Sequence, residues 1–117
     1  MPPSTGLQAF KAEFFKALAH PIRIRILEIL RAQEYSVQEL QARLNLDQST
    51  VSQQLAVLRS KHVVIARKEG TAVRYKVRDA LVGDLLDVAR RIFNNQLIGS
   101  QTLLRELREE ARRPARR

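Results

Sequence analysis

The stretch SVQELQARLNLDQSTVSQQLAVLRSKHVVIARKEGTAVRYKV, residues 36–77, reads as two short helices, a tight turn between them and a hairpin. Ser36-Val37-Gln38-Glu39 matches a capping box, in which the serine and glutamate side chains satisfy orphan N–H groups at a helix start. The helix it opens buries Val37, Leu40 and Leu44, and Asn45-Leu46 then makes a tight turn. Asp47 is a natural N-cap for the next helix, expected from Gln48 to about Lys61. Two helices joined by so short a turn read as a helix-turn-helix.

Projected at 100° per residue, the second of these helices has two distinct sides. Val51, Leu55 and Leu58 fall at i, i+4 and i+7 and anchor it to a core. Ser49, Ser52, Gln53 and Ala56 fall opposite, on a face with no carboxylate. Short hydroxyl and amide side chains of this kind can approach base edges, since glutamine reads adenine bidentately and serine donates or accepts. The candidate reading residues are Gln48, Ser49, Thr50, Ser52 and Gln53.

After His62 the periodicity changes from helical to alternating. Val63 to Lys68 is expected as one strand and Ala72 to Val77 as a second, with Glu69-Gly70-Thr71 as the turn. A basic hairpin directly after a helix-turn-helix is the wing of a winged helix. Arg67, Lys68, Thr71, Arg74 and Lys76 are its candidate contacts to phosphates or the minor groove.

Outside this unit the chain is helical. Leu7, Phe10, Phe14, Phe15 and Leu18 recur at three- and four-residue steps, giving an amphipathic first helix up to Ala19. Pro21 suits the first turn of a second helix, which carries Ile22, Ile26, Leu27, Ile29 and Leu30. From Asp79 a long apolar face runs through Leu81, Leu85, Ile92, Phe93 and Leu97, and Gly99-Ser100 is a candidate break in it. The expected architecture is therefore mainly α with a small β-hairpin, in the order α-α-α-α-β-β-α. Three core helices and a wing cannot cover both the aromatic first helix and the long last one, so the surplus implies a partner chain. Leu7, Phe10, Phe14, Leu81, Leu85, Ile92, Phe93 and Leu97 are the expected seam. Residues 1–6 read as a flexible leader, 7–110 as the domain, and 111–117, with four arginines and no acid, as a basic disordered tail.

Composition agrees with a polyanionic partner. In 117 residues there are 21 Lys and Arg against 12 Asp and Glu, a formal net charge of +9, and each phosphate neutralised by such a cation releases condensed counterions. The absence of cysteine removes disulfides, thiolate metal sites, a cysteine nucleophile and a thiol switch. The start, Met1 to Gly6, lacks the basic-then-apolar order of a secretory signal, and no apolar run reaches the length of a membrane span, so a cytoplasmic location is expected. No Ser/His/Asp ordering, phosphate-cradling glycine loop or paired-carboxylate pocket is evident, and the chain is expected not to be an enzyme. His20, before Pro21, and His62, at the end of the reading helix, have capping or packing roles. Neither has a second ligand near it in sequence, so no metal or cofactor is expected.

Taken in order, Phe15 to Leu27, Asp47 to Leu58 and the hairpin Ala66 to Tyr75 resemble the ArsR/SmtB family of winged-helix repressors, over roughly residues 10–95. The resemblance implies a homodimer built from the first and last helices, binding a double-stranded operator of imperfect twofold symmetry, with Gln48, Ser49, Ser52 and Gln53 toward the major groove. It also implies what is missing. Some members of that family sense metal through cysteines near the third helix. Others use an Asp and a His two residues later on the last helix, then a second ligand pair about one turn apart. Here Asp79 matches the first of those positions, but Leu81, Ile92 and Asn95 occupy the rest. The signal is thus left open between protein abundance and an organic inducer among Phe10, Phe14 and Phe93.

Two other classes stand beside operator binding. A winged helix can be a protein-interaction module, but such modules carry an acidic or hydrophobic outer face, and this one is polar and uncharged. A non-specific nucleic-acid-binding role is the other; for RNA, four Phe on apolar helix faces and two Tyr offer no interleaved stacking platform.

Overall fold

Three helices and a small sheet enclose the core of the computed structural model, which describes residues 6–97 and 100–112. Helix α1 spans Gly6–Leu18 and α2 Pro21–Leu30; strand β1 is Tyr35–Ser36, followed by α3, Val37–Leu44, and α4, Gln48–Ser60. Strands β2, Val64–Glu69, and β3, Ala72–Val77, form the hairpin, and α5, Leu81–Gln96, and α6, Gln101–Arg112, complete the order. Ile26 and Leu27 of α2, Leu40 of α3, and Val51, Leu55 and Leu58 of α4 are all but inaccessible to solvent. Truncating one such leucine to alanine costs about 2–5 kcal/mol.

Local chemistry explains the boundaries. His20 caps α2, its Nδ1 accepting the Ile22 N–H at 3.1 Å, and Pro21 occupies the first turn. At α3 both halves of the capping box form: Ser36 Oγ accepts from Glu39 N–H at 3.2 Å, and Glu39 Oε1 from Ser36 N–H at 2.9 Å. Asn45 ends α3 in the left-handed region at φ 56°, which asparagine tolerates, and donates its N–H to Gln41 O at 2.7 Å. Helix α4 closes with a Schellman motif: His62 N–H donates to Arg59 O at 3.0 Å and Val63 N–H to Leu58 O at 2.9 Å. The left-handed position of that motif is His62 itself, at φ 62°.

The fold departs from the expected order in two places. First, Tyr35–Ser36 pairs antiparallel with β3, in the register Tyr35↔Tyr75 and Ser36↔Arg74, so the sheet has three strands in the order β1-β3-β2. Two residues cannot show an alternating pattern; the pairing is made by backbone groups and by the fully buried Tyr35 side chain. Second, the last helical stretch, left open between one helix and two, is two. Helix α5 ends at Gln96, and α6 folds back along it, docking the buried Leu104 and pairing Arg90 Nη1 with Glu110 Oε1 at 2.8 Å. Gly99 lies outside the described residues. Helix α1 takes in Gly6 and α6 takes in Ala111 and Arg112; the rest of the expected leader and tail, 1–5 and 113–117, lies outside the described residues.

The hairpin turn is also tighter than expected. Glu69 pairs with Ala72, which leaves Gly70-Thr71 as a two-residue loop. Gly70 has φ 63° and Thr71 is not in the positive region, the pattern of a type II′ turn, for which glycine at the first position is the preferred residue.

Candidate nucleic-acid interface

Helix α4 starts from Asp47, whose carboxylate accepts from the Thr50 N–H at 3.1 Å and from the Thr50 hydroxyl at 2.5 Å. That hydroxyl bond is the main cause holding the Asp47 carboxyl below its ordinary range. Thr50, expected among the reading residues, therefore has its hydroxyl committed to the cap. Ser49, Ser52, Gln53 and Ala56 are exposed opposite the buried Val51, Leu55 and Leu58, and Gln48 is exposed in the first turn at the edge of that face.

Adjacent glutamines on this helix have opposite fates. Gln53 faces solvent, whereas Gln54 Oε1 accepts from Arg23 Nη1 at 2.8 Å. Arg23 also donates from Nε to Ala17 O at 2.6 Å and from Nη2 to Lys16 O at 3.1 Å, so it caps the last turn of α1. At the far end of α4, Lys61 Nζ meets Glu13 Oε1 at 2.8 Å, and this contact is the main cause of the lowered Glu13 pKa. Helix α1 and the exposed face of α4 are thus held in one fixed relation. Sequence periodicity missed Arg23, because its partners lie six, seven and thirty-one residues away.

The wing differs more from expectation. Arg67 Nη2 donates to Glu34 Oε1 at 2.6 Å and to Glu69 Oε2 at 2.9 Å, which raises the Arg67 pKa. Arg74 donates from Nη2 to Glu34 O at 3.1 Å; the same nitrogen lies 3.3 Å from Glu39 Oε1, and Nε lies 3.8 Å from Glu34 Oε1. Two of the five expected wing contacts are therefore bound within the protomer. Lys68, Thr71 and Lys76 are exposed. On the neighbouring α3, the Arg43 guanidinium lies 4.2 Å from the centroid of the Tyr35 ring.

The expected seam divides as well. Leu7, Phe10, Leu81, Ile92 and Phe93 are exposed, with Phe10 73% accessible, while Leu85 and Leu97 are half-buried. Phe14 packs against the protomer's own core, in an edge contact with Phe15, and Phe15 takes the outward place. On α5, Val82 and Leu86 turn to the core, whereas Leu81, Leu85, Val88 and Ile92, at i, i+4, i+7 and i+11, form a second apolar stripe facing out. Arg31 ties α2 to α5, donating from Nη1 and Nη2 to the two oxygens of Asp87 at 2.7 and 2.8 Å. Gly83 makes room for it, since a Cβ there would lie 3.3 Å from the guanidinium.

Comparison with known proteins agrees with this geometry. The model of the bacterial regulatory protein arsR family matches residues 20–65. An uncharacterised HTH-type transcriptional regulator of Mycobacterium tuberculosis, Rv0081, is 45% identical over 106 residues, 90% of this chain and 93% of that protein. Its crystal structure superimposes with a TM-score of 0.73, covering 80% of this chain and 95% of the other. The biofilm growth-associated repressor of Agrobacterium fabrum is 38% identical over 82 residues, 70% of each chain. A homodimeric winged helix-turn-helix DNA-binding domain from Mycobacterium bovis aligns at 27% identity with a TM-score of 0.72, over 86% of this chain and 97% of that one. Among the described residues no helix is long and apolar enough to cross a membrane.

Proposed function

The chain belongs to the ArsR family of bacterial regulatory proteins, and from that premise we propose that it is a cytoplasmic, non-enzymatic transcriptional repressor that binds an imperfect palindromic operator in double-stranded DNA as a homodimer. The observation that carries the reading is the outer face of α4, where Gln48, Ser49, Ser52 and Gln53 are exposed together with no carboxylate among them. Bases are read by such donors and acceptors, while the backbone is held by cations; Lys68 and Lys76, with Thr71 at the wing tip, are the candidates for that second task.

The exposed stripe of α5 and the aromatic face of α1 support pairing with a second copy, since an apolar surface of this extent on one protomer calls for a cover. The Mycobacterium bovis neighbour is a homodimer. In that arrangement the links from α1 to α4, through Arg23 and Lys61, would set the spacing of the two reading helices. Half-sites one helical turn apart are about 34–36 Å from centre to centre.

Selection of bound sequences from random duplex DNA tests the proposal. The expected result is a twofold-related pair of half-sites, and Ser52→Ala with Gln53→Ala should relax the preference, with about 1–3 kcal/mol of discrimination lost per base contact removed. A variant that keeps the parent's ratio of operator to random-DNA affinity overturns the assignment of α4.

A further inference from the structure

The wing holds its arginines in a way that the proposed function does not require. Arg67 and Arg74 are direct partners in the β2–β3 ladder, on one face, where like charges repel. The connection between α2 and β1 delivers Glu34 to that face: its Oε1 lies 2.6 Å from Arg67 Nη2 and 3.8 Å from Arg74 Nε. Glu69 adds a second carboxylate to Arg67, and Glu39 one to Arg74. Two guanidinium cations are thus matched by three carboxylates on a wing that would otherwise present them to DNA. A guanidinium fork binds carboxylate and phosphate with the same geometry, so Glu34 fills the place that a backbone phosphate would take.

We propose that Glu34 is a positioning residue that withholds Arg67 from the DNA backbone and thereby sets the strength of sequence-independent binding. The inference rests on the reading of this chain as a DNA-binding protein. The Arg67 side chain is 48% accessible, so its tether is electrostatic and not steric. Arg74 is the more enclosed of the pair, at 25%, and its bond to the Glu34 carbonyl holds β3 to the segment before β1 whatever the Glu34 side chain is. The cation that Glu34 withholds is therefore Arg67, which in E34Q keeps only the exposed Glu69 of its own strand, at 2.9 Å. Lys76 lies on the face of Arg67 and Lys68 on the opposite one; both are exposed and are the candidates for the standing backbone contact.

The test is E34Q, which keeps the shape and removes the charge, compared with the parent, R67Q and the double variant. Binding of each full-length protein to the selected operator and to a random duplex is measured across a salt series, with thermal melting of every variant recorded alongside. Release of Arg67 in both protomers of the homodimer steepens the slope of log affinity against log salt by up to about 1.8, which corresponds to about thirtyfold tighter binding at about 0.15 M salt. E34Q should show that gain on both duplexes alike. R67Q alone should bind like the parent, and R67Q on the E34Q background should abolish the gain. An unchanged slope or weaker binding by E34Q overturns the proposal, as does an R67Q variant that loses as much affinity from the parent as from E34Q. Failure of the underlying reading looks different: the parent itself would prefer no sequence over random duplex.

Discussion

Arg67 and Arg74 face each other across the β2–β3 ladder, and a single carboxylate, Glu34, reaches both. The pair shows that a basic strand is not by itself a basic surface. Of the wing cations, Arg74 ties β3 to the segment before β1 and to α3, Arg67 ties β2 to that same segment, and the two lysines are left outward. Affinity and stability should therefore separate between the two residue types.

Arg74→Ala should behave as a stability variant. It removes a bond to the Glu34 carbonyl and leaves Glu39 without its guanidinium neighbour, a loss of about 1–2 kcal/mol once partial exposure is discounted. Lys76→Ala should leave the denaturant midpoint unchanged and make the salt dependence of DNA binding shallower by about 0.9 per phosphate contact. Equal midpoints for the two variants would show that Arg74 does not brace the wing.

His62→Gly should stabilise the fold. His62 closes the Schellman motif of α4 at φ 62°, where a Cβ costs roughly 1–2 kcal/mol and glycine has no such cost. Part of that gain is lost to the greater freedom of glycine in the unfolded chain, leaving a net of about 0.5–1 kcal/mol. Urea unfolding monitored by circular dichroism measures it, and a lower midpoint would mean that the imidazole holds the motif.

Glu28 carries the opposite kind of strain. It is half-buried on α2, and its carboxyl is pushed above the usual 4.5 chiefly by desolvation, then by the nearby Glu110, against the opposing pull of Arg90, Arg25 and Arg31. A carboxyl with a raised folded-state pKa favours folding when protonated; that contribution is complete below 4.5 and is lost as pH rises through the folded value. Glu28→Gln should accordingly raise the melting temperature at pH 7 and bring no benefit at pH 4. Parallel melting curves at the two pH values would refute the sign.

Acid should act in the other direction on the paired carboxylates. Asp87 is held low chiefly by its bonds from Arg31, and Glu13 by Lys61; both favour folding above their unfolded values, and that help disappears as pH falls through the folded ones. Asp87→Asn should therefore lower stability at pH 7, and the deficit should shrink as pH falls below 3.8. Thermal melts of parent and variant across that pH range provide the comparison.

Ile92→Glu should separate protomers without unfolding them. Ile92 is half-exposed on the outward stripe of α5 and lies outside the protomer core. A carboxylate is tolerated in water but not in an apolar seam. Light scattering should give a dimer for the parent and a folded monomer for the variant; a monomeric parent at micromolar concentration defeats the homodimer.

The sequence by itself determined the helix-turn-helix, the hairpin and the caps. Each of those signals is complete within a few residues: Ser36 with Glu39, Asp47 with Thr50, and a glycine at the position of the hairpin turn with positive φ. The buried face of α4 was legible for the same reason, because helical periodicity places Val51, Leu55 and Leu58 together without reference to anything else. What only the tertiary structure decided is the fate of side chains whose partners are distant along the chain. Arg67 is 33 residues from Glu34, Arg74 is 40 residues from the same residue, and Arg23 is 31 residues from Gln54. Periodicity assigns such a residue to a face but carries no information on which charge the fold brings to it. The same reason hid β1, whose two residues have meaning only beside β3, and exchanged Phe14 for Phe15 on the outer surface of α1. Local hydrogen bonding and burial pattern are written in sequence order, while charge compensation is written in space.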